Sequence, residues 1–281
     1  MINFNGTLLE NESVLAQNRA FLYGDAVFET LKIVEGKVLF MEDHYFRLMA
    51  SMRIIRMQIP MAFTLEYLEN ELIELAKAND CVNSCRARIT VYRNDGGFYL
   101  PKTRSVSFLI SVQPKEVKEY VFSADSYEVE LFKDFYVSKH LLSTLKSTNK
   151  LIQTVGSIYA DENGYHNCLL LNEDKNIVEA LNGNLFMLIG NRLSTPPLSE
   201  GCLNGIMRKQ ILAIAQKMEG IEMIEEPISP FNLQKADELF ITNVIAGIQP
   251  ITKYRKKEFN TVFSSKLVEQ LNTKENLLNL T

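Results

Sequence analysis

Hydrophobic and polar positions fall into two periods that change over along the chain, and each change marks a new element. Residues 27–34 and 37–40 read as strands around Glu35-Gly36, a hairpin signal. Over 42–57, Phe46, Met49, Ala50 and Ile54 recur at the spacing of one helix face, and Pro60 stops that pattern. Thr64 can cap a second helix with Leu65, Leu68, Leu72, Leu75 and Ala76 on its inner side. Then Ala87, Ile89 and Val91 alternate with Arg88, Thr90 and Tyr92, as in a half-buried strand. Asn94-Asp95-Gly96-Gly97 is a turn signal, and residues 105–112 supply another strand.

Residues 113–120 hold Pro114 and four charges and read as an interdomain connection. Beyond it come strands up to about Val137, a polar bend over 143–147 and a helix over 149–160. A hairpin over 167–171 and 176–181 turns at Glu173-Asp174-Lys175. A strand over 185–189 precedes a helix over 204–219, with Ile206, Ile211, Leu212 and Ala215 facing inward. Hairpins mixed with separate helices predict an α+β fold rather than an alternating doubly wound sheet. The expected division is a smaller N-terminal domain (1–113), a connection (114–120) and a larger C-terminal domain (121–281).

Composition narrows the classes. Of 281 residues, 46% are hydrophobic and 23% charged, enough apolar material for a sizeable core. A net charge of −4 argues against broad nucleic-acid binding, and the basic run 253–257 is too short to change that. Cys81, Cys85, Cys168 and Cys202 form no metal-ligand series, and with three histidines no metal site is expected; they read as buried thiols. No stretch reaches the ~20 apolar residues of a membrane span. The N-terminus has no signal-peptide pattern, so the glycosylation patterns Asn5-Gly6-Thr7 and Asn11-Glu12-Ser13 carry no weight, and a cytoplasmic protein is expected.

Four separated segments carry the chemistry: Tyr23-Gly24-Asp25-Ala26-Val27-Phe28-Glu29-Thr30, Leu145-Lys146-Ser147-Thr148-Asn149-Lys150, Val178-Glu179-Ala180-Leu181-Asn182-Gly183-Asn184-Leu185-Phe186 and Leu203-Asn204-Gly205-Ile206-Met207-Arg208. Their types, order and spacing resemble the class IV aminotransferases, fold-type IV enzymes that use pyridoxal 5'-phosphate (PLP). The resemblance spans about Phe4 to Pro250. It implies a two-domain, D-amino-acid aminotransferase-like fold, a small-molecule substrate with an amino group, and a homodimer.

The resemblance also assigns residues. Lys146 matches the lysine that forms a Schiff base with PLP; on composition alone it would be one of many solvated lysines. An amine suits the role because it condenses reversibly with an aldehyde and then moves protons. Glu179, 33 residues on, matches the carboxylate that keeps the pyridine nitrogen protonated. Arg47 matches the arginine that reaches the phosphate, for which a charged fork is suited. The amides of Ile206 and Met207, at a helix start, and of Val244 match backbone phosphate contacts. Phe28, Arg93, Asn149 and Asn243 stand where substrate contacts are expected. His44 sits in a family-like place, where helix support is as good a reading as function.

Three details favour 4-amino-4-deoxychorismate lyase, which forms 4-aminobenzoate and pyruvate. Thr30 matches a lyase hydroxyl suited to proton relay, Asn243 replaces a transaminase glycine, and the 204–208 segment is lyase-like. Against it, the lyase loop carries an arginine after its paired glycines, where this chain has Gly96-Gly97-Phe98-Tyr99. The alternatives are a branched-chain or D-amino-acid transaminase and a catalytically inactive binding protein on the same fold.

Overall fold

The computed structural model describes residues 1–10 and 17–274, so the 11–13 glycosylation pattern lies outside the described residues. Contacts divide the chain into two units, Met1–Lys118 with Lys146–Asn149, and Glu119–Leu145 with Lys150–Thr281. The break after Lys118 falls within the expected connection. The four-residue segment at Lys146, expected in the C-terminal domain, clusters with the N-terminal unit.

The N-terminal unit contains β1 (Ile2–Phe4), β2 (Thr7–Leu9), α1 (Arg19–Tyr23), β3 (Ala26–Val34), β4 (Lys37–Val38), α2 (Met41–Ile54), α3 (Leu65–Ala78), β5 (Ser84–Arg93) and β6 (Val106–Pro114). Its sheet has the order β2-β1-β6-β5-β3-β4. Alternation fixes the faces: Val27, Leu31, Cys85, Ala87, Ile89 and Val91 are buried with Leu48, Met52, Leu68, Leu72 and Leu75 of α2 and α3. Thr64 caps α3 by accepting from the Tyr67 amide. α2 stops before the expected boundary. It ends at Ile54 rather than near Pro60, because Arg56 takes a left-handed conformation (φ 60°) and breaks the ladder.

The C-terminal unit adds β7 (Glu128–Val137), α4 (Leu151–Glu162), β8 (Asn167–Asn172), β9 (Ile177–Ala180), β10 (Asn184–Ile189), β11 (Arg192–Thr195), α5 (Ile206–Ala215) and β12 (Glu222–Glu225). These are followed by β13 (Glu238–Asn243), β14 (Gly247–Ile251), β15 (Lys253–Tyr254), β16 (Lys257–Glu258) and α6 (Val262–Lys274). Two five-stranded sheets result, β12-β11-β10-β13-β14 and β16-β15-β7-β8-β9. Leu131, Leu169 and Ile177 of one pack with Leu185, Met187, Leu239 and Ile241 of the other. The alternate residues of β10 and β13 face the helices: Phe186 stacks on Phe240 at 5.2 Å, and Glu238 accepts from the Phe263 and Ser264 amides that open α6.

All four cysteines are free and buried, as read from the sequence; burial pushes the thiols of Cys85 and Cys202 up to about 12 and that of Cys168 to about 11, so they are inert at neutral pH. Among the described residues no helix is long and apolar enough to cross a membrane, and no cluster of His, Cys, Asp and Glu could hold a metal.

Candidate active site

In the N-terminal unit, Lys146 is held by the edge of β3. The Phe28 amide donates to the Lys146 carbonyl at 2.8 Å, Ser147 bridges Val27, and the Thr148 amide donates to the Ala26 carbonyl at 3.1 Å. Residues 146–148 thus act as a short antiparallel extension of β3, which is why they leave the unit that surrounds them in sequence. The Lys146 ammonium lies 4.7 Å from the centre of the Phe28 ring. Arg88 stacks on the same ring at 3.6 Å, its Nε donating to Thr90 Oγ1 at 3.1 Å. Thr30 shares that face, since it pairs with Arg88 in register. Burial, and next the neighbouring Arg86, press on the Arg88 guanidinium and lower its pKa. A desolvated cation in that position is suited to a carboxylate.

Arg47 belongs to a buried charged cluster on the opposite face of β3. Its Nε donates to Glu29 Oε1 at 2.8 Å and its Nη2 to Oε2 at 2.5 Å, while His44 Nδ1 lies 2.7 Å from Oε2. Burial opposes the Glu29 charge, but Arg47, by charge and hydrogen bond, and then His44 outweigh it and hold the carboxyl at about 2. Burial lowers the His44 pKa more than Glu29 raises it, so the imidazole is neutral at physiological pH. The Glu29 contact fixes the plane of the Arg47 fork; His44, noted in the sequence without a definite role, supports that carboxylate.

The C-terminal unit brings Glu179 and the start of α5 together. Glu179 is 7% exposed, and its Oε2 accepts from the Leu203 amide at 2.8 Å. Two residues later Gly205 is the N-cap of α5. It has no side-chain cap, so the first-turn amides, those of Ile206 and Met207 among them, point out of the helix without intrahelical acceptors. A Cβ at Gly205 would collide with Asn184 Oδ1, whose Nδ2 donates to the Leu203 carbonyl at 2.8 Å. The uncapped amides and the close glycine make a cradle for an anion. Tyr120 Oη donates to the Val244 carbonyl at 2.9 Å and orients the turn after β13.

Three expected substrate contacts have other work. Arg93 is 6% exposed; its Nε donates to Asp25 at 2.9 Å, and Nη1 and Nη2 donate to the carbonyls of Arg56 and Ile55 at 3.1 and 2.7 Å. It braces the end of α2, because a guanidinium is the group that can satisfy a carboxylate and two orphan carbonyls at once. Asn243 Oδ1 accepts from the amides of Ile245 and Ala246, at 3.0 and 2.8 Å, and shapes the turn containing Val244. Asn149 Nδ2 donates to the Gly24 carbonyl at 3.3 Å. All three sit beside site segments and tie down backbone. Arg88 and Glu29, which lie against Phe28 and Arg47, were not singled out from the sequence. The alternation of β5 already put Arg88 on the face of Thr30, and Glu29 lies inside a quoted motif.

Glu200 also escaped notice. It is 5% exposed and takes hydrogen bonds from Asn172 (2.7 Å) and Asn176 (2.9 Å) and an ion pair from Lys139 (2.9 Å). Those bonds tie the loop before Leu203 to the β8–β9 hairpin and to the segment leading toward Lys146.

Comparison with known proteins agrees with these motifs. A D-alanine aminotransferase of Bacillus licheniformis is 27% identical over 261 residues, covering 89% of this chain and 86% of its own. The crystal structure of a branched-chain aminotransferase from the archaeon Thermoproteus uzoniensis with norvaline superposes with a TM-score of 0.84, at 26% identity and 96% and 92% coverage. A 4-amino-4-deoxychorismate lyase from Pseudomonas aeruginosa shares the fold, with a TM-score of 0.83 at 22% identity, covering 97% of this chain and 98% of its own. The model of the class IV amino-transferases matches residues 26–254, most of the chain, so this protein belongs to that family of PLP enzymes with the fold-type IV architecture.

Proposed function

We propose that the protein is an amino-acid transaminase, moving an amino group between an amino acid and a 2-keto acid. The observation that carries this reading is Arg88, whose guanidinium stacks at 3.6 Å on the ring over which the Lys146 amine lies at 4.7 Å. One desolvated cation beside a reactive amine is what an α-carboxylate next to an α-amino group requires. The transaminase relatives found by sequence support it.

The residues present fit PLP. The uncapped start of α5 offers amides to a phosphate, and Arg47, oriented by Glu29, offers a charged fork. Glu179 is a buried carboxylate of the kind that holds a pyridinium nitrogen. PLP supplies the electron sink for the substrate carbanion. Lys146 supplies the amine that takes the α-proton and returns it at the acceptor carbon. Arg88 holds the carboxylate through both half-reactions, and the Phe28 ring gives the amine an apolar support.

A second reading, elimination of pyruvate from 4-amino-4-deoxychorismate, is favoured by Thr30, whose strand position puts it on the same face as Phe28 and Arg88. Purified protein loaded with PLP separates the two. Transfer from amino-acid donors to 2-keto acids, with no pyruvate released from 4-amino-4-deoxychorismate, supports transamination. 4-Aminobenzoate formation without transfer replaces it with the lyase. Neither activity, with no visible band on adding PLP, returns the inactive scaffold.

A further inference from the structure

The face of the N-terminal sheet that carries Phe28 also carries more positive charge than its neighbours neutralise. Arg86 and Arg88 are two residues apart on β5, so their side chains leave the strand on one side, and the rise of a strand sets their Cα atoms about 7 Å apart. Each feels the other: next to burial, the charge of Arg86 is what lowers the Arg88 pKa.

Register fixes what surrounds them. Thr30 and Ser111 stand opposite Arg88, and Lys32 and Gln113 stand opposite Arg86. Among the described residues the two guanidinium groups donate only to neutral acceptors, Arg88 Nε to Thr90 Oγ1 at 3.1 Å and Arg86 Nη1 to Gln113 Oε1 at 3.4 Å. Elsewhere in this unit the arginines of the site region meet carboxylates: Arg47 holds Glu29, and Arg19 and Arg93 share Asp25. Lys32, 4% exposed, faces Arg86 directly across the ladder, and like charges directly opposite weaken a sheet. Three cations with no acid at the adjoining register positions oppose folding, and a local rule broken in this way beside a reactive amine points to an anion from outside the chain.

One carboxylate neutralises Arg88, to which the proposed function gives the substrate α-carboxylate, and leaves Arg86 beside it. We propose that Arg86 binds a second carboxylate, carried on the substrate side chain, so that the enzyme selects an acidic amino acid and the matching dicarboxylic keto acid over apolar ones. This rests on the transaminase reading above. Arg86 lies one register step beyond Arg88 from Phe28 and Lys146, the order in which a side-chain carboxylate follows the α-carboxylate. A guanidinium offers that group a charged fork, and a dianion relieves the repulsion between Arg86 and Arg88 more than a monoanion does.

Arg86→Met removes the charge and keeps an unbranched side chain, and Arg86→Lys keeps the charge without the fork. With PLP-loaded protein, kcat/KM is measured for each enantiomer of glutamate and of norvaline, which ends the same carbon chain in a methyl group. Calorimetry measures binding of glutarate and valerate, the corresponding pair without an amino group. Wild type should prefer glutamate at least about tenfold. Arg86→Met should lower the glutamate-to-norvaline ratio at least about tenfold, mainly through KM for glutamate, and the glutarate-to-valerate affinity ratio by a similar factor, with Arg86→Lys falling between. Arg88→Met should instead lower kcat/KM for both amino acids. A wild type that uses norvaline as well as glutamate, or ratios unmoved in Arg86→Met, overturns the proposal. No transfer from either donor overturns the transaminase reading instead, and the glutarate-to-valerate ratio then decides the second carboxylate by itself.

Discussion

Replacing Glu29 by Gln should uncover a large electrostatic contribution in the N-terminal unit. Glu29 is 1% exposed, and its carboxyl is lowered from 4.5 to about 2 by Arg47 and His44, against the effect of burial. A difference of ~2.5 units at ~1.36 kcal/mol each makes the ionised carboxylate worth about 3 kcal/mol of folding free energy. Because the folded pKa is depressed, that contribution is whole above the unfolded value of 4.5 and is lost as pH falls through about 2. The gap between wild type and Glu29→Gln should therefore be about 3 kcal/mol at pH 7, about 2 at pH 3.5 and about 1 at pH 2.5. The size agrees with removal of one partner from a buried ion pair, about 3–5 kcal/mol.

Urea unfolding of the apo proteins, followed by far-UV circular dichroism across that pH range, measures the gap directly. Other carboxylates titrate in both proteins and cancel in the difference. A gap below about 1 kcal/mol at pH 7, or one that is flat from pH 7 to pH 2.5, refutes the reasoning, because the Glu29–Arg47–His44 cluster would then be electrostatically neutral to folding.

Four further outcomes are expected. Lys146→Ala should abolish turnover and leave no PLP adduct after borohydride reduction, read by intact-protein mass spectrometry; an adduct on another lysine with activity retained displaces Lys146. Glu179→Gln should keep PLP bound but slow single-turnover chemistry at least a hundredfold, whereas Arg47→Ala should weaken PLP retention about tenfold or more; equal losses in both properties count against these roles. Arg88→Met should lower kcat/KM for amino acids about thirtyfold, mostly through KM, with the spectrum of bound PLP unchanged. Thr30→Val should leave transamination within about twofold, and a collapse of 4-aminobenzoate formation instead would favour the second reading.

Much of the fold was legible because periodicity is a local property. The odd residues of β5 face the core, and the Thr64 cap opens α3, as their patterns require. Short edge strands such as β15 and β16 have only two residues each, too few to show a period, and α6 has a mixed face that the pattern left unmarked. The end of α2 depended on the left-handed Arg56 and on Arg93 capturing the carbonyls of Ile55 and Arg56 from a distant strand. No window around Pro60 contains that information. The placement of 146–149 on β3 is likewise non-local, since it arises from an unused edge of a strand more than a hundred residues earlier.

The motif residues divide by what their polar atoms hold. Arg93, Asn149 and Asn243 bind backbone, and their types follow from that: a fork for three acceptors, and amides that can grip a neighbouring carbonyl or two successive N–H groups. Glu29 binds another side chain and so acts through Arg47. Lys146 and Arg88 lie against the Phe28 ring, and Glu179 accepts from the Leu203 amide two residues before the N-cap of α5. A motif match cannot tell these kinds apart, because a residue that fixes a turn to within an ångström recurs in the pattern beside one that touches substrate. Spacing in the sequence locates both. Only the hydrogen-bond partners separate them: Arg93 spends its guanidinium on Asp25 and the carbonyls of Ile55 and Arg56, whereas Arg88 stacks on the Phe28 ring beside which the proposed function sets it.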